Sequence, residues 1–263
     1  MIYKQNLAMK RHFCLLLCIC LYLNVAAQNQ QKDWARFYRY EEANKSITTR
    51  PKAIFFGDSI TDANRKRSND DAGRVPEEYS NEPRALGSGY VFMVATELYY
   101  EKPNYYQILN RGIGGDRLPQ LYARIALDVW REQPDVVSIM IGANDMQRGK
   151  NPNATDIQRW GRVYRMMIED TMEKCPDTKI ILCEPYTPRV EHKEMIAPYA
   201  KETRKIAEEF SLTCISFQEK VDEALEKYGL ENCCYDGGHP SPVGSKVLAD
   251  EWLRVFRQEI AQE

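Results

Sequence analysis

Toward the carboxyl end, Asp236-Gly237-Gly238-His239-Pro240 sets a carboxylate three residues before an imidazole. An imidazole oriented by a carboxylate can remove the proton of a hydroxyl that is otherwise a weak nucleophile. A suitable hydroxyl stands far upstream, Ser59 in Gly57-Asp58-Ser59-Ile60-Thr61. Attack on a carbonyl also creates an oxyanion, which needs N–H donors aimed at it. Two further segments supply such groups: Asn110-Arg111-Gly112-Ile113-Gly114-Gly115-Asp116 offers the Gly115 backbone N–H, and Gly142-Ala143-Asn144-Asp145 offers the Asn144 side-chain amide. The Ser59 backbone N–H would be the third donor, and glycine at 115 lets the backbone approach a substrate with no side chain in the way.

Each segment also has an ordinary reading. Gly-Asp-Ser is a common turn, and Gly112 to Gly115 can be a plain strand-to-helix connection that lacks the glycine spacing of a dinucleotide site. Asp145 can cap the helix that follows it, and Asp236 with His239 can be a local hydrogen-bonded pair. What separates the two readings is position, because in an open α/β sheet ligands bind beyond the carboxyl ends of the strands. Short apolar runs over 53–56, 106–109, 136–141, 180–183 and 214–217 read as buried parallel strands. Amphipathic stretches over 90–100, 118–130, 155–174, 193–210 and 241–260 read as helices between and after them. The first three chemical segments follow directly on the first three strands, and Asp236 and His239 precede the last helix, which Ser241 can cap.

Alternation of this kind predicts an α/β fold with one parallel sheet covered on both faces. Pro51, Pro103, Pro134 and Pro176 punctuate the passages into the first four strands. One connection is out of scale: 62–88 is polar and too long for an ordinary strand-to-helix turn.

The chain of 263 residues, 43% hydrophobic, suits a single domain over 51–263, with 28–50 as a lead-in that includes a short helix over 34–42. Its 36 basic and 38 acidic side chains are scattered, giving a net charge of -2 and no footprint for nucleic acid. Lys4, Lys10 and Arg11 precede an apolar stretch over 13–23 and then Val25-Ala26-Ala27, the pattern of a signal peptide cleaved after Ala27. The expectation is therefore a secreted or periplasmic protein without stable membrane insertion; a lipoprotein anchored through Cys18 or Cys20 is the lesser alternative. Removal of 1–27 leaves Cys175, Cys183, Cys214, Cys233 and Cys234, an odd count that requires at least one free thiol. Cys183 and Cys214 read as buried small hydrophobes, and a disulfide involving Cys233 or Cys234 is a way to brace the loop ahead of Asp236. No cysteine or histidine spacing suggests a zinc site.

Taken together, the four segments resemble the SGNH hydrolase superfamily, the GDSL-like lipases and acylhydrolases, over nearly all of 53–263. The resemblance implies a flavodoxin-like three-layer α/β/α sandwich with a central parallel sheet of about five strands, and no metal or organic cofactor. It implies Ser59 as nucleophile and oxyanion donor, Gly115 as second donor with Gly114 as the lesser candidate, Asn144 as third, and Asp236 with His239 as the acid–base pair. The secretion signal and inserted first loop are similar to those of members that remove acetyl groups from carbohydrate, for which Arg74, Tyr79, Arg84 and Tyr90 can offer hydrogen bonds and a stacking surface. A lysophospholipase- or thioesterase-type acylhydrolase and a catalytically silent glycan-binding member stand as alternatives.

Overall fold

Runs of aliphatic and β-branched residues too short for helices form the strands, and they are buried on both sides because helices cover both faces. In the computed structural model, residues 51–66, 83–146 and 156–261 are described. The expectations for 1–50, including the signal peptide and lead-in, and for Arg74 and Tyr79 lie outside the described residues. Strands β1 (Lys52–Gly57), β2 (Gln107–Gly112), β3 (Val136–Met140), β4 (Lys179–Cys183) and β5 (Thr213–Ile215) make one parallel sheet in the order β2-β1-β3-β4-β5. This is the doubly wound flavodoxin-like arrangement, in which the chain leaves β1 toward both sides and opens a crevice between β1 and β3.

Successive side chains of a strand point to opposite faces, and β1 shows the consequence. Ala53 and Phe55 pack with α3 (Tyr90–Glu101), α7 (Gln218–Tyr228) and α9 (Pro242–Val255). Ile54 and Phe56 pack with α4 (Leu118–Asp128), α5 (Ile157–Lys174) and α6 (Lys193–Glu209). Three layers result, as the resemblance implied. Three shorter helices lie at the strand ends: α1 (Ser59–Asp62), α2 (Pro83–Leu86) and α8 (Leu230–Cys233).

The register sets the floor of the crevice. Gly57 lies opposite both Gly112 and Met140, and Met140 lies opposite Cys183, so four strands end nearly level. Helix α1 then folds back onto this floor, so close that a Cβ at position 112 would come within 2.2 Å of the Asp62 backbone nitrogen.

Several boundaries differ from expectation for identifiable reasons. Helix α7 was not anticipated; it is short and mostly polar, and buries fully only Val221 and Ala224. The last helix, expected over 241–260, ends at Val255 and continues as a π turn over Phe256–Ile260. Ser241 does cap it, accepting from the backbone N–H of Val243 and Gly244. Asp145 caps a helix too, but it is α4: its carboxylate accepts the Leu118 N–H at 3.2 and 3.3 Å from a loop that is distant in sequence. Among the described residues Cys175, Cys183, Cys214, Cys233 and Cys234 are all free thiols, so no disulfide braces the loop ahead of Asp236 there; Cys183 is fully buried and Cys214 partly so. No helix among the described residues is long and apolar enough to cross a membrane.

Candidate active site

Ser59 is the first residue of α1, where Asp58 serves as N-cap by accepting the Ile60 N–H at 3.0 Å. This turn fixes the serine at the rim of the crevice just beyond β1. Across it, the loop before α9 delivers His239, whose Nε2 is 2.9 Å from Ser59 Oγ. The other ring nitrogen, Nδ1, is 2.7 Å from Asp236 Oδ2, while Asp236 Oδ1 accepts the backbone N–H of His239 at 2.7 Å and of Gly238 at 2.9 Å. Backbone and side-chain donation from His239 holds the Asp236 carboxyl down at about 2, so it is ionised at neutral pH. Hydroxyl, imidazole and carboxylate thus form one hydrogen-bonded line.

The loop is braced without a disulfide. Cys234 and Pro240 form an antiparallel bridge at its base, and the Tyr235 N–H donates to the His239 carbonyl at 3.2 Å. From the loop after β4, Arg189 donates through Nε to the Gly237 carbonyl at 2.7 Å and through Nη2 to the Asp236 carbonyl at 3.2 Å. Burial pushes the thiols of Cys183 and Cys214 up to about 12 and that of Cys234 up to about 11, so none of these rivals Ser59 as a nucleophile.

Of the other groups expected to bind the oxyanion, Asn144 lines the same cleft as Ser59, and Gly115 lies on the loop after β2. Gly115 has φ +84°, a left-handed conformation that favours glycine, and a Cβ there would meet nothing within 4 Å. The Gly114 N–H is taken by Asp62 Oδ2 at 3.0 Å, whereas among the described residues no acceptor takes that of Gly115. The Asn144 amide donates one hydrogen to the Asp116 carbonyl at 3.0 Å, which orients the group and leaves its second hydrogen for a ligand.

The sequence pattern of the GDSL-like lipase/acylhydrolase family matches residues 55–247. A curated relative, the acetylxylan esterase of Geobacillus stearothermophilus, is 32% identical over 216 residues, spanning 77% of this chain and 92% of that protein. The chain belongs to the GDSL-like lipase/acylhydrolase family. It is a serine ester hydrolase. A crystal structure from Parabacteroides merdae, described as GDSL-like lipase, superposes with a TM-score of 0.71 at 32% identity and covers 79% of this chain and 96% of its own. Structures of Axe2, an acetylxylan esterase from Geobacillus stearothermophilus, include catalytic mutants in which a serine, an aspartate and a histidine are each replaced by alanine. The histidine mutant is 30% identical, covers 78% of this chain and 93% of its own, and has a TM-score of 0.68.

In this acylhydrolase the crevice is a cleft of about 200 Å³ whose lining includes Ser59, Asn144, Asp236 and His239 together with Met146, Tyr186, Arg189 and His192. Sequence reasoning missed Met146, Arg189 and His192. They carry no motif, and only the level strand ends bring the loops after β3 and β4 beside the serine. Two residues expected as sugar contacts stand elsewhere. Tyr90 is a core residue, 1% exposed and packed between Phe55 and Phe217, so no sugar can stack on it; the amphipathic start of α3 turned its ring inward. Arg84 is exposed on a second, more open groove with Lys66, Phe92 and Met93, which shares no lining residue with the cleft. The exposed aromatic near the chemistry is Tyr235, 64% exposed, with its ring 5.8 Å from that of His239 and 17° from parallel. Among the described residues no cluster of His, Cys, Asp and Glu is placed to hold a metal ion.

Proposed function

We propose that this hydrolase removes acetyl groups from carbohydrate by a two-step acyl-enzyme route. The observation that carries the mechanism is the unbroken line from Ser59 Oγ through His239 to Asp236. Ser59 Oγ attacks the ester carbonyl carbon while His239 Nε2 takes its proton, and Asp236 stabilises the imidazolium. The carbonyl oxygen becomes an oxyanion held by the N–H groups of Ser59 and Gly115 and the Asn144 amide. Collapse expels the sugar alkoxide, which takes the proton from His239 and leaves acetyl on Ser59. A water then attacks the acyl-enzyme with His239 as base, and acetate leaves as Ser59 regains its proton.

Three observations support acetyl and sugar as the two halves of the substrate. The cleft beside Ser59 suits a short acyl group, Tyr235 offers an exposed ring beside that of His239, and the curated relative is an acetylxylan esterase. An exported enzyme fits a polymeric substrate, so N-terminal sequencing of the secreted protein should begin at Gln28. The deciding measurement is turnover of acetylated xylooligosaccharides and of nitrophenyl esters of increasing chain length. Acetate esters should be preferred, and Ser59→Ala should lower kcat by at least about 10³-fold with folding intact. Equal or better turnover of octanoate would overturn the acetyl preference, and activity surviving in Ser59→Ala would overturn the mechanism.

A further inference from the structure

We infer that Arg124, on α4 and outside the cleft, is the positioning residue that holds the three oxyanion donors in register. The inference rests on the proposed roles of Ser59, Gly115 and Asn144. Arg124 is largely buried, its side chain 15% exposed, and its guanidinium works in several directions at once. Nη2 donates to the Gly57 carbonyl at 3.1 Å, two residues before Ser59. Nη1 donates to the Arg111 carbonyl at 2.8 Å, at the end of the strand that leads into Gly114 and Gly115. Nε donates to Asp116 Oδ2 at 2.8 Å, and the carbonyl of that same Asp116 takes the Asn144 amide hydrogen at 3.0 Å.

Ser59 and Gly115 are therefore tied to one cation through backbone carbonyls two and four residues away, and Asn144 through Asp116, whose side chain the cation holds and whose carbonyl takes the amide hydrogen. Asp116 and Asp128 balance its charge; Asp128 Oδ2 lies 2.6 Å from Nη1, and the Phe56 ring lies 4.4 Å under the guanidinium carbon. Four hydrogen-bond directions from one planar group with fixed geometry suit arginine and not lysine, whose ammonium has three donors on a flexible stem. Displacement of the donors by a fraction of an ångström affects the developing oxyanion more than the bound ester, because those hydrogen bonds tighten only as charge builds.

The test compares Arg124→Lys and Asp116→Asn with Lys52→Met, which breaks an equally buried ion pair, Lys52 with Glu132 at 3.0 Å, at the opposite end of the sheet. All are assayed on acetylated xylooligosaccharide at a temperature where circular dichroism shows them folded. Arg124→Lys and Asp116→Asn should each lower kcat at least about 10-fold with KM changed less than about 3-fold. They should also weaken a short alkyl boronic acid, which forms a tetrahedral adduct on Ser59, in parallel with kcat. Lys52→Met should lose stability with kcat unchanged. If Arg124→Lys fails to fold, Asp116→Asn decides alone. Near-parental kcat in a folded variant, or boronate affinity that does not follow kcat, overturns the inference. A parallel Asn144→Ala variant separates the two levels: if it keeps parental kcat, the oxyanion assignment itself falls, whereas a large loss there beside a normal Arg124→Lys removes only the role of Arg124.

Discussion

Asp58 lies next to the nucleophile, 2% exposed and bonded to the Ile60 N–H that starts α1. Removal from water disfavours its charged form, and the nearby carboxylates of Asp145 and Asp116 add to this; the Ile60 N–H and His239 oppose it. Burial is the largest effect and pushes the Asp58 carboxyl up to about 7. A carboxyl raised in the folded state binds its proton more tightly there than when unfolded. The stabilisation is therefore complete below the unfolded value near 3.8 and is lost as pH rises through about 7. Between pH 5 and pH 8 this one group should lower folding stability by about 2–3 kcal/mol. Asp58→Asn keeps an oxygen for the Ile60 N–H but cannot ionise. Its urea midpoint should fall less than the parent's over that interval, and identical pH dependence in the two proteins would mean that Asp58 titrates as an ordinary surface carboxylate.

At the scale of elements, the site depends on α1 being pressed onto the sheet, and Asn110 does much of this. Its amide donates to the Thr61 carbonyl at 2.7 Å and the Leu86 carbonyl at 2.8 Å, while its oxygen accepts the Gly112 N–H at 2.9 Å. One buried side chain thus joins β2 to α1 and α2. Asn110→Ala would leave buried backbone groups unpaired, costing about 2–4 kcal/mol, more than the one or two bonds of a typical surface amide. Chemical denaturation should show this, along with a lower kcat at temperatures where the variant is folded; a change under about 0.5 kcal/mol would remove Asn110 from this role. Nothing about Asn110 in the sequence distinguished it from the rest of its glycine-rich segment. The strands and the loops after them were legible because apolar runs bounded by glycine, proline and aspartate have few other readings. Asp236 and His239 were legible because they are local to each other. Side-chain direction was not: Tyr90 looked available for a sugar, yet its place at the start of α3 sends the ring into the core. Arg124, Arg189 and Asp145 act across long sequence separations on backbone groups, for which a sequence carries no pattern.

For the whole molecule, the nucleophile and its base are 180 residues apart and meet only because the C-terminal part of the chain closes over one face of the sheet. Helix α9 makes that closure. Its Trp252 is fully buried, with its ring centroid 4.8 Å from both Phe55 and Phe256, and its indole N–H donates at 3.0 Å to Ser138 Oγ on β3. Phe55 is on β1, the strand that leads to Ser59, and α9 begins three residues after His239 with Ser241 as its cap. Trp252 therefore couples the position of the imidazole to the strand that positions the hydroxyl. Truncation of a buried aromatic costs about 3–5 kcal/mol through lost burial and the cavity left behind. Trp252→Ala should lower the thermal midpoint by on the order of 10 °C in a domain of this size. If α9 is the closing element, esterase activity in that variant should fail on heating several degrees below the loss of circular dichroism, because the helix loosens before the sheet melts. Simultaneous loss of activity and secondary structure would mean instead that α9 and the sheet unfold as one unit and that the triad is assembled by the whole core together.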